Sequence, residues 1–529
     1  MKFAEFAELC SHLASVSSRK QKIAIIADAL KKADGEVDIL ARFLTGTIFS
    51  PLSPLTLNVG PSMIYSVLRS LRAARQQLLM GGDELSLQDV YRLFESIAKA
   101  GGEGSRRKKE NLLAALFSRL SDDERQLLVR LIFGELRIGV NEGTVIDAIA
   151  EAWGCDEAEV RKAYMFLSDV GEVAAVAFKE GRRGIQSVTL QLFRPVRPML
   201  AEMAYDLRSV LKQHGGVTAL EYKYDGIRVQ IHAKDDKIRV FSRRLSDITG
   251  QVPDVVSAVR RHVKAESFVL DGEAVGYVEG KPASFQDIAK RVQRQRDLDK
   301  FLRKVPLKLF LFDILYLDGE VLVDFPYEER WKKLSSIASQ EILVKRIVTG
   351  SLEEAEKFYR AAVEEGHEGV MAKRLDSNYE PGTRGKKWFK VKSTDTIDCV
   401  IIAAEWGHGR RSGWLSDYHL AVLDDETGGY VMVGKTFKGL TDEEFEEMTK
   451  RLLELKISER GYVVYVAPRI VVEVAYSEIQ RSPRYESSFA LRFARITRIR
   501  WDKSPREIAT LSDLRKRYEM QQGKKAELK

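Results

Sequence analysis

Lys223 is the residue whose neighbours best suit covalent chemistry. It opens the segment Lys223-Tyr-Asp225-Gly226-Ile-Arg228, and a neutral lysine amine is a nucleophile that enzymes use to form covalent intermediates. The pattern K-x-D-G-x-R is expected by chance in about one chain in a hundred of this size. A plainer alternative remains, because Asp-Gly is a preferred pair for the type I′ turn of a β-hairpin. In such a hairpin Lys223 would be a solvated strand lysine.

Further segments with charged or aromatic residues follow this lysine in order. Arg243 lies at a predicted strand end, Asp271 and Glu273 lie together at the end of another strand, Phe312 lies inside an apolar strand, and Glu368 follows a predicted helix. Carboxylates, guanidinium groups and aromatic rings of this kind can bind metal ions, phosphates and bases. The segments read Phe241-Ser-Arg243-Arg244, Leu270-Asp271-Gly272-Glu273, Leu311-Phe312-Asp313, Glu368-Gly-Val-Met-Ala-Lys373 and Arg384-Gly-Lys-Lys-Trp388-Phe-Lys390-Val-Lys392.

In this order the segments resemble the nucleotidyltransferase motifs of the ATP-dependent DNA ligases. Trp501-Asp502-Lys503 near the end resembles the last motif of that family. Gly134-Glu-Leu-Arg137-Ile-Gly139-Val-Asn-Glu-Gly143 resembles part of the DNA-binding domain of its archaeal and eukaryotic replicative branch. One segment departs from the family, since Phe493-Ala494-Arg495 stands where the pattern is Phe-Pro-Arg, and the departure concerns a local turn. The resemblance covers the whole chain.

The resemblance implies a multidomain α and α+β protein, and the sequence patterns change at matching places. Residues 1–192 show helical spacing of apolar residues, as expected of an all-helical DNA-binding domain. After Pro195 and Pro198 the spacing of apolar residues changes from helical to alternating. Residues 193–397 contain strands rich in β-branched residues together with helices, as in an α+β nucleotidyltransferase (adenylation) domain. Residues 398–529 read as five short strands and one helix, which suits a C-terminal OB-fold β-barrel.

The resemblance also implies an activity. Lys223 would take AMP from ATP and pass it to the 5′-phosphate of a nick in duplex DNA, after which the 3′-hydroxyl displaces AMP and seals the strand. Such a reaction serves DNA replication, repair and recombination. The amine must be neutral to attack, and Lys390, Lys392 and a bound magnesium ion would lower its proton affinity while neutralising phosphate charge.

The same resemblance assigns the nucleotide contacts. Glu221 would accept a hydrogen bond from the exocyclic amine of adenine, and Glu273 would hold the ribose hydroxyls. Phe312 would stack on the base, although a phenylalanine in a buried strand also fits core packing. Arginine forks suit phosphate oxygens, although a single arginine is more often a surface ion-pair partner. Three arginines would contact the nucleotide or the nick phosphate: Arg228, Arg243 and Arg384.

Asp271 and Glu368 are the magnesium ligands that the resemblance implies, because magnesium prefers carboxylate oxygens and keeps several waters. The alternatives are a strand-end turn for Asp271 and a surface glutamate at a helix end for Glu368. The histidines show no metal-ligand spacing. ATP and Mg²⁺ are therefore the expected cofactors.

Two other functions compete with DNA ligation. An RNA ligase or an mRNA-capping guanylyltransferase would share the lysine motif and the barrel, but the long helical region and the segment at residues 134–143 argue against it. A clamp-like DNA-binding protein without catalysis would not need Lys223, Glu273, Lys390 and Lys392 intact. An NAD-dependent ligase is disfavoured because its four-cysteine zinc module is missing.

Composition limits the class of protein further. The chain has 529 residues, 44% of them hydrophobic, so each domain can bury a core and intrinsic disorder is excluded as the main state. A net charge of +8 is compatible with a polyanionic partner such as nicked DNA. Three scattered cysteines exclude a disulfide framework. With no signal peptide or membrane span in the sequence, we expect a cytoplasmic protein, and we expect a monomer.

Basic clusters provide candidate phosphate contacts outside the nucleotide pocket. Arg106–Lys109 and Lys290–Lys304 are rich in basic residues, which would clamp DNA phosphates or simply face solvent. The glycine in Arg137-Ile-Gly139 would let backbone amides approach a phosphate. A sliding clamp is a weaker candidate partner, because Gln88-Asp-Val-Tyr91-Arg-Leu-Phe94 only approximates a clamp-binding box and fits core packing better.

Overall fold

The chain folds into two compact units. The computed structural model describes residues 1–529 except 75–83, 205, 279–280, 284–287, 289–290, 293–303, 381–383, 393–394, 408–410 and 528–529. The first unit comprises Met1–Val160, Asp169–Gln186 and Asp395–Lys529, and the second comprises Arg161–Ser168 and Ser187–Thr394. Over the described ranges, no helix is long and apolar enough to cross a membrane.

The N-terminal region is helical, as the apolar spacing predicts. Its α5 buries Leu87, Val90, Phe94 and Ile97 at three- and four-residue intervals. Phe94 packs against Phe43 with ring centroids 6.3 Å apart, which agrees with core packing for the imperfect clamp box. Among its described residues, this N-terminal region contains ten α-helices: α1 (Phe3–Ser15), α2 (Arg19–Lys32), α3 (Val37–Leu44), α4 (Pro61–Ala74), α5 (Leu87–Lys99), α6 (Ser105–Ser118), α7 (Asp122–Phe133), α8 (Glu142–Trp153), α9 (Glu157–Leu167) and α10 (Val170–Ser187).

The second unit contains two sheets. The first has the strand order β1-β11-β10-β2-β9, with β1 parallel to β11 and the other pairs antiparallel. Its strands are β1 (Leu200–Ala204), β2 (Thr218–Tyr222), β9 (Arg346–Thr349), β10 (Gly369–Lys373) and β11 (Arg384–Lys392). The second sheet has the order β4-β3-β5-β7-β8, and β6 pairs with β5. Its strands are β3 (Ile227–Lys234), β4 (Lys237–Ser242), β5 (Ser267–Val278), β6 (Lys281–Pro282), β7 (Leu307–Leu317) and β8 (Glu320–Val321).

The two sheets share a core. Val370 and Phe389 of the first sheet pack in one cluster with Val275, Phe310 and Phe312 of the second. Helices pack on strands of both sheets. The described helices of the unit that follow β1 are α11 (Leu207–Gln213), α12 (Pro253–His262), α13 (Tyr327–Ile337) and α14 (Leu352–Glu364).

The hairpin alternative for the Lys223 segment and one strand-end expectation were wrong. The segment from Lys223 to Arg228 is not a hairpin turn, because β2 and β3 belong to different sheets. Neither Asp225 nor Gly226 has the positive φ that a type I′ turn requires. The segment at Asp271 and Glu273 does not end a strand either, since β5 continues to Val278.

The C-terminal region is rich in β-structure, as predicted, but contains more strands than the five read from the sequence. A seven-stranded sheet and a two-stranded hairpin surround Phe445, Met448 and Leu452 of its first helix. The strands are β12 (Thr396–Trp406), β13 (Leu415–Leu423), β14 (Tyr430–Thr436), β15 (Lys456–Arg460), β16 (Val463–Val466), β17 (Val471–Ala475), β18 (Glu478–Arg481), β19 (Phe489–Arg492) and β20 (Arg495–Ile499). The helices are α15 (Asp442–Glu454) and α16 (Leu511–Glu527).

Candidate active site

Lys223 lies in the link between the two sheets of the second unit. Its backbone N–H donates to the carbonyl of Gly369 at 2.9 Å, and its carbonyl accepts from the N–H of Glu368 at 3.2 Å. Gly226 allows the link to pass close to β5, because a Cβ at this position would lie 2.3 Å from the carbonyl oxygen of Ala274. Gly226 is therefore needed for a close crossing between the sheets.

The side chain of Lys223 contacts a carboxylate. Its Nζ donates to Oε2 of Glu368, and Nζ of Lys392 lies 3.3 Å from the same oxygen. All three side chains are at least three-quarters buried. One carboxylate therefore orients two ammonium groups, and the charge nearest to Lys223 is negative rather than that of a second lysine.

Strand β11 aligns the other predicted cations with this pair. Lys392 pairs in register with Gly369, and Lys390 pairs with Met371. Residues two apart on a strand share a face, so Lys390 and Lys392 lie on the same face of the sheet. The backbone of Arg384 pairs with Leu200 at the other end of the strand, but its side chain lies outside the described residues.

Arg228 is held by a buried carboxylate. It donates from Nε and Nη2 to the two oxygens of Asp271 at 3.0 and 2.6 Å, and from Nη1 to the carbonyl of Met199 at 2.7 Å. Tyr379 donates its hydroxyl to Asp271 at 2.7 Å. Burial alone would lower the pKa of Arg228, but Asp271 outweighs it and raises that pKa. The guanidinium is a fixed positive charge between the sheets, and Arg243 lines the same cavity as Arg228 and Asp271.

Glu273 lies opposite Arg228 in the pairing of β3 with β5. Burial raises the pKa of Glu273 to about 8, although Lys223 and Arg228 oppose the shift. A carboxyl group that carries a proton near neutral pH can donate as well as accept hydrogen bonds. Such a group suits contacts with hydroxyl groups, the role that the resemblance implies for it.

Lys373 contacts both Glu221 and Phe312. Glu221 is 1% exposed and accepts from the hydroxyl of Tyr327 through Oε1. Its Oε2 lies 2.8 Å from Nζ of Lys373, which also donates to the carbonyl of Phe312 at 2.9 Å. The half-buried ring of Phe312 meets Trp388 edge to face, with centroids 6.3 Å apart. A carboxylate acceptor and the strand that carries an aromatic ring are thus joined by one lysine.

The carboxylates near Lys223 suit magnesium to different degrees. Considering only the described side chains, no cluster of three or more acidic, histidine or cysteine residues could hold a metal ion. Magnesium often binds through one or two carboxylates and several waters, so Glu368 beside Lys223 fits such a site. Asp271 fits less well, because Arg228 and Tyr379 already occupy both of its oxygens.

Sequence reasoning gave no role to three residues that complete this site. Tyr327 and Tyr379 contact predicted site residues more than one hundred positions away in the chain, and their own surroundings in the sequence carry no signal. Lys373 ends the segment that begins at Glu368, and its position directly after the apolar run Val370-Met-Ala is the one signal in the sequence for a buried lysine.

Known proteins resemble the chain along its whole length. Residues 66–150 match the family description "DNA ligase N terminus", residues 198–392 match "ATP dependent DNA ligase domain", and residues 411–503 match "ATP dependent DNA ligase C terminal region". The chain is 44% identical to "DNA ligase 1" of Korarchaeum cryptofilum, covering 98% of this chain and 99% of that protein. It is 40% identical to "DNA ligase" of Thermococcus onnurineus, with 99% of each covered. A solved structure of a mycobacterial DNA ligase D complexed with ATP and MES is 27% identical over 60% of this chain and 99% of that chain, with a TM-score of 0.41.

Proposed function

Since the chain belongs to the family of ATP-dependent DNA ligases and is itself an ATP-dependent DNA ligase, we propose that Lys223 carries AMP from ATP to the 5′-phosphate of a nick. The observation that carries this assignment is the contact of Lys223 with Glu368 at the crossing between two sheets. At this crossing Lys223 combines a hydrogen-bonded backbone, a partner carboxylate and a neighbouring lysine.

The first step forms a bond between Nζ of Lys223 and the α-phosphorus of ATP, and pyrophosphate leaves. Lys223 must lose a proton before its amine attacks, and Glu368 orients the amine. Lys390 and Lys392 supply positive charge for the phosphates. Glu221 and Phe312 bind the base, and Glu273 binds the ribose.

In the second step an oxygen of the 5′-phosphate displaces Lys223 from AMP, and in the third the 3′-hydroxyl of the nick displaces AMP to form the phosphodiester. Arg228, Arg243 and Arg384 are proposed to hold the nucleotide or the nick phosphate during these transfers. Asp271 keeps Arg228 fixed, so Arg228 needs no reorganisation to meet a phosphate.

Magnesium is proposed as the metal cofactor, with Glu368 as the first candidate for a ligand. When bound, it would neutralise phosphate charge during transfer. Asp271 stays a prediction as a ligand, because a metal ion there would have to compete with Arg228 for its oxygens.

Other properties are proposed from the sequence. We propose domain boundaries at residues 1–192, 193–397 and 398–529, a monomer and a cytoplasmic location. Nicked double-stranded DNA is the macromolecular substrate, and a sliding clamp is a further partner without a recognisable binding box.

The test of Lys223 uses two substrates. Lys223→Ala has no amine to form the phosphoramide, so labelled AMP should not stay on the denatured protein and nick sealing with ATP should vanish. A nick supplied with its 5′-adenylate already carries the activated phosphate and should still be sealed. Lys223→Arg should fail with ATP as well, because its guanidinium stays protonated. Lys333→Ala, an exposed lysine paired with Glu320, is the control. Substantial ATP-dependent sealing by Lys223→Ala would refute the mechanism.

A further inference from the structure

Lys373 is a buried lysine that touches both parts of the predicted adenine pocket. Its side chain is 1% exposed, and its Nζ contacts Glu221 Oε2 and the carbonyl of Phe312. The ring centroids of Trp388, Phe312 and Tyr327 lie 4.4, 4.7 and 4.7 Å from Nζ. The ammonium therefore joins the carboxylate of Glu221 to the strand that carries the proposed stacking ring.

Tyr327 holds the other oxygen of the same carboxylate. Its hydroxyl donates to Oε1 of Glu221, so each carboxylate oxygen has one fixed donor. A carboxylate offers about four acceptor positions. Glu221 therefore still has capacity to accept a hydrogen bond from an amino group of a bound base.

We propose that Lys373 and Tyr327 are positioning residues that set the selectivity of self-adenylation for the 6-amino group of adenine. The inference rests on the proposed function, in which Glu221 accepts that amino group. Because a buried carboxylate without a counter-charge takes up a proton, Glu221 needs Lys373 to remain an acceptor. A protonated Glu221 would present a donor to the amine.

The charges around the pair favour this role for Lys373. Burial raises the pKa of Glu221, and Lys373, Tyr327 and Arg346 oppose the shift. Asp313 and Arg330, which also face Lys373, form their own buried ion pair at 2.8 Å. The charges of Asp313 and Arg330 largely neutralise each other. Lys373 therefore provides the closest unshared positive charge to Glu221.

The experiment compares self-adenylation of the full-length protein by ATP and by purine riboside triphosphate, which lacks the 6-amino group. A hydrogen bond to a charged acceptor should make the wild-type rate with ATP roughly 10- to 100-fold higher. Lys373→Met should lose most of this ratio, and Tyr327→Phe should lose part of it. The ratio cancels effects on Lys223, which acts on both nucleotides alike.

A pH series gives a readout that a merely structural role would not move. In Lys373→Met the ratio should rise with increasing pH, as Glu221 loses its proton. The wild-type ratio should stay flat. Adding Glu221→Gln to Lys373→Met should abolish the pH dependence, because the amide does not titrate. Tyr418→Phe, which removes a buried hydroxyl from the C-terminal region, is the matched control for Tyr327→Phe.

The measured ratios distinguish failure of the proposed adenine contact of Glu221 from failure of the positioning inference. If Glu221→Gln alone keeps the wild-type ratio, the proposed role of Glu221 in adenine binding is wrong. If Glu221→Gln lowers the ratio while Lys373→Met and Tyr327→Phe keep it, only the positioning inference is overturned. If circular dichroism shows that Lys373→Met does not fold, the ratio measured for Tyr327→Phe tests the positioning inference instead, since this substitution removes only one oxygen atom.

Discussion

Phe312 differs from Phe310, two positions earlier on the same strand face, in what covers its ring. Phe310 stacks on Tyr224 with centroids 4.0 Å apart, whereas Phe312 meets Trp388 edge to face, with the Nζ of Lys373 4.7 Å and the guanidinium carbon of Arg228 5.4 Å from its centroid. Phe312→Leu keeps an apolar side chain but loses the stacking face, so the free energy of ATP binding should weaken by roughly 1–3 kcal/mol. Calorimetric titration with ATP measures this loss. Phe310→Leu should bind ATP as the wild type does, and equal losses in the two variants would contradict the assignment of Phe312.

At the residue scale, the candidate site residues predicted from the sequence are those that lie in short motifs. Lys223 and Glu368 were found in separate motifs, and the structure brings their side chains into contact. Tyr327 and Tyr379 were not found, because their hydroxyls act on carboxylates that other strands supply. Such a role depends on tertiary placement, which no local pattern specifies.

Strands β10 and β11 approach each other closely at Gly369, next to Glu368. Gly369 has a φ of 137°, and a Cβ there would lie 2.1 Å from the carbonyl oxygen of Val391. Gly369→Ala should therefore lower the free energy of unfolding by about 1–3 kcal/mol or more. It should also slow self-adenylation by moving Glu368 away from Lys223. Urea unfolding and a labelled-ATP gel measure the two effects.

Gly366→Ala is the control for this strand pair, since Gly366 also has a positive φ but has open space around it. It should cost some stability and leave self-adenylation near the wild-type rate. If Gly369→Ala adenylates normally, close packing of these strands does not position Glu368.

At the scale of elements, strand and helix types followed from periodicity, whereas strand partners did not. Asp225 and Gly226 have the local propensity of a hairpin turn, yet β2 pairs with β9 and β10 while β3 pairs with β4 and β5. Long-range pairing therefore overrides the local turn preference of this segment.

At the scale of the whole molecule, the change in the spacing of apolar residues at Pro195 predicts that the nucleotidyltransferase domain begins near residue 193. The structure adds Arg161–Ser168 to the unit that holds Lys223. Met165 and Phe166 are each 1% exposed and share a core cluster with Val196 and Trp388. A helical period alone cannot reveal which unit a helix end packs against.

Two fragments test this packing. The fragment 161–394 keeps Met165 and Phe166, whereas the fragment 187–394 loses them and exposes the apolar surface around Val196 and Trp388. Each buried side chain of this size contributes roughly 1.5–3 kcal/mol, so the shorter fragment should unfold at a clearly lower urea concentration. It should also bind ATP more weakly, because Trp388 lies beside Phe312 and Lys373. Double substitution of Met165 and Phe166 by alanine in the longer fragment should reproduce most of the loss. Equal urea midpoints for the two fragments would show that residues 161–168 add nothing to the stability of this unit.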